Sequence, residues 1–158
     1  MSVTAYIGIG ANLGDARASV EQAIAQLASV AGCRLLDQSS LYRTAPVDAG
    51  GDDYVNAVAA VATDLTPQAL LHALQEIERQ HGRQRSYRNA PRTLDMDLLL
   101  HGEQRLDSAE LTLPHPRMTQ RAFVLVPLLE IAPAIVIPGH GAAQSCLSGV
   151  ADQAIARL

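Results

Sequence analysis

The chain has 158 residues, is 48% hydrophobic and has a mean hydropathy of +0.08, which suits one globular domain over 1–158 and excludes a disordered chain. Its net charge of −4 argues against a general nucleic-acid binder. It shows no charged-then-apolar leader and no apolar run of about 18 residues, so a cytoplasmic protein with no membrane segment is expected.

Residues 3–10 alternate, with Val3, Ala5, Ile7 and Ile9 on one face, and read as a strand. GIGANLG (8–14) then turns toward a helix that Asp15 is suited to cap. Val20, Ile24, Leu27 and Ala31 mark its buried stripe, and Gly32 ends it. Residues 34–42 read as a second strand. APVDAGGDD (45–53) is a long loop, and 54–63 a third strand. Thr66 and Pro67 start a second helix through Leu70, Leu71, Leu74, Ile77 and His81, with Gly82 at its end.

Residues 94–100 form a strand that the run Leu98-Leu99-Leu100 marks as central and buried. Gln104–Leu106 reads as a short return strand. A helix from about Thr119 turns Phe123, Val126 and Leu129 inward, and Pro127 sits within it. Residues 134–137 suggest a short strand, and the tail from about Gln144 is weakly helical. The order is βαββαβ plus an extension, an α+β ferredoxin-like pattern. It predicts a four-stranded antiparallel sheet with two helices on one face. C-terminal helices cover the second face, giving three αβα layers.

All twelve basic residues are arginine, and Arg79, Arg83, Arg85, Arg88 and Arg92 fall within 79–92. An acidic protein with one basic patch suggests a small anionic ligand; a solvated loop is the plainer alternative. On the strand that follows, Leu94, Met96, Leu98 and Leu100 share one face and Asp95 and Asp97 the other. At ~3.3 Å per residue the two Asp Cα atoms lie ~6.5–7 Å apart, which lets both carboxylates approach one metal or a close pair. Magnesium uses one or two carboxylates plus substrate phosphates. Glycosyltransferases and nucleotidyltransferases also carry such a pair, so another transferase stays open, as does a non-catalytic ligand-binding module.

The glycine-rich GIGANLG departs from a dinucleotide fingerprint, since Leu13 stands where the third glycine belongs. Tyr6, Tyr42, Tyr54, Tyr87 and Phe123 are the five rings available to a planar ligand. His115, between two prolines, is the histidine best placed for a ligand, with a structural role the equal alternative. Cys33 and Cys146 read as two buried, unpaired thiols.

The stretch APRTLDMDLL (90–99) resembles the signature of the 6-hydroxymethyl-7,8-dihydropterin pyrophosphokinase family. IGIGANLGD, SSLYRTAPV, DYVNAV, QEIERQHGRQR and PHPRMTQRAFVLVPLLEIAP carry the resemblance over most of the chain. It implies a monomer that transfers pyrophosphate from ATP to the pterin hydroxymethyl group in folate biosynthesis, releasing AMP. Asp95 and Asp97 would hold two Mg2+ ions, with Arg83, Arg92 and Asp97 catalytic. ATP contacts are implied at Gln75, Glu78, Arg83, Arg85, Arg92, Leu98, Thr112, His115 and Arg121. The pterin would meet Thr44, Ala45, Val47, Tyr54, Asn56 and Phe123. Residues 45–53 and 82–90 would act as lids. The chain departs from the family's habit at Asn89, where a tryptophan is common, and at Ala45, Glu110 and Pro116.

Overall fold

A computed structural model describes residues 2–12, 15–45, 53–81 and 94–158. Strand β1 (Val3–Ala11) leads to helix α1 (Ala16–Ala28), then β2 (Cys33–Gln38), β3 (Tyr42–Thr44) and β4 (Tyr54–Thr63). Helix α2 (Pro67–Gln80), β5 (Asp95–His101) and the hairpin β6 (Leu106–Asp107) and β7 (Thr112–Leu113) follow. A 3-10 turn (Met118–Gln120) precedes α3 (Ala122–Ile131). The hairpin β8 (Val136–Ile137) and β9 (Gly141–Ala142), a 3-10 helix (Ala143–Val150) and β10 (Ile155–Arg157) complete the chain. No helix among the described residues is long and apolar enough to cross a membrane.

Among the described residues the main sheet is antiparallel with six strands rather than the expected four, because 34–42 splits into β2 and β3 and the tail returns as β10; the order is β10-β3-β4-β1-β5, with β2 also pairing β4. One face carries α1 and α2 over Ile7, Ile9, Leu27, Leu74 and Leu98. The other carries α3 and the C-terminal 3-10 helix over Val58, Leu99, Leu100, Leu125 and Leu128. This is the expected ferredoxin-like α+β core with its second face covered.

Local chemistry sets the helix ends. Asp15 Oδ1 accepts the Ala18 N–H at 3.1 Å, and Thr66 Oγ1 accepts that of Ala69 at 3.1 Å. Helix α1 stops at Ala28, two residues before the expected end, and Ala31 is exposed rather than part of the stripe. Gly32 has φ +85°, a left-handed conformation that suits glycine, but it serves the turn into β2 rather than the helix cap.

Several expectations are corrected. The strand expected over 34–42 is broken into β2 and β3, and the Ser39 and Ser40 side chains between them bond to β4 and α3. Ser39 Oγ accepts the Val58 N–H at 2.9 Å, and Ser40 N–H donates to Glu130 at 3.0 Å. Gly8 and Gly10 lie within β1, which runs to Ala11, rather than in a turn, and Gly14 lies outside the described residues. Helix α3 begins at Ala122; Phe123, Val126 and Leu129 pack partly buried against the core as expected, while Ala122, Val124, Leu125, Pro127 and Leu128 are the fully buried residues. Apart from Glu130 its sequence is apolar, so periodicity does not pick a face. The tail contains β10, which pairs with β3. Both cysteines are half-exposed rather than buried, with Cys33 Sγ 3.3 Å from Thr63 Oγ1.

Strand β5 is not central. Among the described residues it pairs only with β1, as the last strand of a βαββαβ core must. Its outer edge is covered instead: Met96 N–H donates to Glu78 Oε2 at 2.7 Å, and the Leu99 carbonyl accepts His115 N–H at 2.9 Å. Opposite Tyr6 and Ile7 the register skips Leu99, a bulge. Leu94, Met96 and Leu98 therefore face the α1–α2 core, whereas Leu99 and Leu100 both join the α3 side.

Candidate active site

The α3 side of the sheet holds a cleft of about 760 Å³ at the ends of β1, β3, β4 and β5. Asp95 and Asp97 enter it from the same side of β5, two residues apart, each half-buried. Across the ladder Asp95 pairs with Gly10 and Asp97 with Gly8. On the far side of β1, Gly10 pairs with Asn56 of β4. The row Asp95–Gly10–Asn56 thus has no side chain at its centre, and the bare β1 backbone forms the cleft floor between acid and amide.

The far wall is built from β3, β4 and α3. Asn56 is 5% exposed, and its Nδ2 donates to Thr44 Oγ1 at 2.7 Å. That bond fixes the amide orientation in a buried setting where an unpaired polar group is costly. The Tyr54 and Phe123 rings line the same cleft, and the Arg121 guanidinium stands 5.3 Å from the Phe123 ring centre. Ala45 completes this wall.

His115 sits on the covered edge of β5 and does not itself line the cleft, but its ring lies close enough to Asp97 and Asp95 to feel their charge. Its Nδ1 accepts the Arg117 N–H at 3.2 Å, which selects the tautomer with its proton on Nε2. Burial pushes the imidazole pKa down; Asp97 opposes this, Arg121 and Arg117 reinforce it, and Asp95 opposes it weakly. The net direction is down, so the ring is neutral at pH 7.

Of the residues assigned to the pterin, Thr44, Ala45, Tyr54, Asn56 and Phe123 come together in the cleft. Asp95, Asp97 and Arg121 line it too. Gln75 lies exposed on α2, Glu78 is buried beneath β5, Leu98 belongs to the α1–α2 core and Thr112 is half-buried on β7; none of the four lines the cleft. Val47, Arg83, Arg85 and Arg92 lie outside the described residues, as do Tyr87 and Asn89. The surface Glu110 meets His72 Nε2 at 2.5 Å.

Sequence reasoning missed Asn12, Arg117, Gln120, Gln153 and Ala154, all of which line the cleft. Arg117 lay within the quoted PHPRMTQR segment and carried a charge that was there to be read. Gln153 and Ala154 gave no such signal, since nothing in the tail marks its return to the sheet.

Two hard carboxylate donors opening into a cleft suit a magnesium ion that takes its other ligands from phosphate and water. Among the described residues no group of three histidine, cysteine or acidic side chains forms a site the protein alone would fill. With two arginines, a neutral histidine and two rings around them, the arrangement can hold a polyphosphate beside a flat polar heterocycle.

Residues 6–133 match the family model for 7,8-dihydro-6-hydroxymethylpterin-pyrophosphokinase. A 2-amino-4-hydroxy-6-hydroxymethyldihydropteridine pyrophosphokinase from Haemophilus influenzae is 38% identical over 157 residues, 99% of this chain and 98% of the relative. The protein of that name from Pseudomonas aeruginosa is 41% identical over 154 residues, 97% of this chain and 95% of its own. The one from Synechocystis is 44% identical over 137 residues, 87% of this chain and 70% of its own. In fold, the chain resembles the crystal structure of wild-type Plasmodium falciparum HPPK-DHPS, with TM-score 0.71 at 12% identity. That match covers 94% of this chain but only 41% of the larger one.

Proposed function

The chain belongs to the 7,8-dihydro-6-hydroxymethylpterin-pyrophosphokinase family, and from that premise we propose that its cleft binds ATP and 6-hydroxymethyl-7,8-dihydropterin side by side. The reaction moves pyrophosphate from ATP to the pterin in folate synthesis. The hydroxymethyl oxygen bonds to the β-phosphorus and loses its proton. The bond from that phosphorus to the oxygen bridging it to the α-phosphorus breaks, and AMP leaves. The observation that carries the reading is the row Asp95–Gly10–Asn56, which sets paired carboxylates against a heterocycle-binding amide across an open floor.

Each residue has a part that follows from its place. Tyr54 and Phe123 offer ring faces to the pterin, and Asn56, braced by Thr44, offers its edge a donor and an acceptor. Arg121 and Arg117 supply positive charge where the phosphates lie, and the Nε2–H of neutral His115 is a further donor to a phosphate oxygen. Arg83, Arg85 and Arg92 carry the same role from the resemblance, with Arg83 and Arg92 catalytic. Asp95 and Asp97 hold two magnesium ions, which when bound neutralise phosphate charge and align the triphosphate. The enzyme works as a monomer in the cytoplasm.

Incubation with ATP, magnesium and 6-hydroxymethyl-7,8-dihydropterin yields AMP and the pterin diphosphate. Predominant ADP would reject pyrophosphoryl transfer, and binding without turnover would leave a ligand-binding module. A sedimentation run at assay concentration reads the monomer.

A further inference from the structure

Residues 120–122 join two helical turns. The 3-10 turn ends at Gln120, Arg121 is extended (φ −129°, ψ 115°), and α3 begins at Ala122. Helix ends leave main-chain groups without intrahelical partners, here the Gln120 carbonyl and the Ala122 N–H. Arg121, at the N-cap of α3, makes no capping bond with its side chain. The amide of Gln153 meets both groups instead. Its Oε1 accepts the Ala122 N–H at 2.8 Å, and its Nε2 donates to the Gln120 carbonyl at 2.9 Å.

The two bonds straddle Arg121. Gln153 is itself held, because its N–H donates to the Val150 carbonyl at 3.0 Å and the strand just after it pairs with β3. Arg121, Phe123 and Gln153 all line the cleft, and the Arg121 guanidinium stands over the Phe123 ring. Gln153 lies beyond the family match at 6–133, in the returning tail.

We propose that Gln153 is a positioning residue for the transfer: it clamps the main chain on both sides of Arg121, and so aims the guanidinium at phosphate and the Phe123 ring at the pterin. This rests on the reading in the preceding subsection. The clamp needs one donor and one acceptor on the same planar group, which a primary amide supplies. Methionine has nearly the same shape and neither capacity; a glutamate carboxylate keeps the acceptor and loses the donor.

Steady-state kinetics on Gln153→Met and Gln153→Glu test the proposal, with Arg121→Ala and the Arg121→Ala/Gln153→Met double variant. Gln153→Met lowers kcat/KM by about tenfold, since a small misplacement of a positioning group carries a cost of that order or more. In the Arg121→Ala background the same change costs less than about twofold, because its effect passes through Arg121. Gln153→Glu loses at least as much as Gln153→Met, because it sets a carboxylate oxygen against the Gln120 carbonyl in place of a donor. Amide exchange in the ligand-free protein speeds at Ala122 and stays unchanged at Leu125, which separates the clamp from general loosening of α3. An active wild type with an indifferent Gln153→Met, or an equal loss in the Arg121→Ala background, overturns the clamp alone. A wild type that makes no AMP overturns the preceding reading and the clamp's role with it.

Discussion

Gly10 and Asn56 face each other across the β1–β4 ladder so closely that a Cβ on Gly10 would come within 2.8 Å of Asn56 Oδ1. That amide is buried and already bonded to Thr44, so it has little freedom to retreat. Gly10→Ala therefore has no cheap relief: the Asn56 amide gives up its Thr44 bond or its strand shifts, and either way the amide leaves its place in the cleft. The expected outcome is a KM for the pterin raised about tenfold, equivalent to ~1.4 kcal/mol, with the KM for ATP changed less than about twofold. Initial-rate measurements varying each substrate in turn check this. Equal rises for both substrates would remove Asn56 from pterin binding.

Glu78 supports the aspartate pair from behind. Its carboxylate is 3% exposed and accepts the N–H of Met96, the residue between Asp95 and Asp97. Glu78→Ala leaves that edge N–H without this acceptor, at a cost of about 1–3 kcal/mol. Glu78→Gln keeps an acceptor oxygen and loses less. Urea unfolding measures the stability, and the magnesium concentration for half-maximal rate rises in the alanine variant. A Glu78→Ala protein with wild-type stability and a raised KM for ATP would make Glu78 a ligand contact instead.

Much of this site was legible because a strand has a period of two. Asp95 and Asp97 share a cleft-facing side as alternation requires, and so do Tyr54 and Asn56. The bulge at Leu99 was not legible, because Leu98, Leu99 and Leu100 are chemically identical and any register satisfies the core. The edge position of β5 was hidden for a related reason. Glu78 and His115 cover its outer side, so the strand is as buried as a central one. β10 has three residues and no alternation of apolar and polar faces, and its pairing with β3 depends on a long-range return. Gln153 shares that fate: its partners at 120 and 122 are distant in sequence.

The aspartates carry a direct prediction. Asp95→Asn and Asp97→Asn preserve side-chain shape while removing the charge that a magnesium ion needs. Each lowers kcat by at least about a hundredfold, the order seen when electrostatic stabilisation of a transferring group is removed. Extra magnesium does not restore the rate. Thermal unfolding changes by less than about 1 kcal/mol, because both side chains are half-exposed at the cleft. A retained kcat in Asp97→Asn would end its assignment as a metal ligand.

The last prediction concerns acid stability at the back of the site. Glu130 of α3 accepts the Ser40 N–H at 3.0 Å, the Ser40 hydroxyl at 2.9 Å and the Tyr42 hydroxyl at 2.5 Å. Tyr42 begins β3, the strand that carries Thr44, so this carboxylate ties α3 to the pterin wall. Burial raises the Glu130 pKa, but the Tyr42 and Ser40 bonds and the Arg157 charge outweigh it, and the net shift is downward from 4.5. A carboxyl with a depressed folded pKa binds fewer protons folded than unfolded. Its stabilising effect is therefore complete above its ordinary value of 4.5 and is lost as pH falls through the lower folded value. Glu130→Gln removes this linkage. At pH 7 the variant is less stable by about 1 kcal/mol, and the gap to wild type closes as pH falls below about 4.5. Unfolding curves at several pH values between about 7 and 3 check it, and a gap that widens toward acid would reverse the sign.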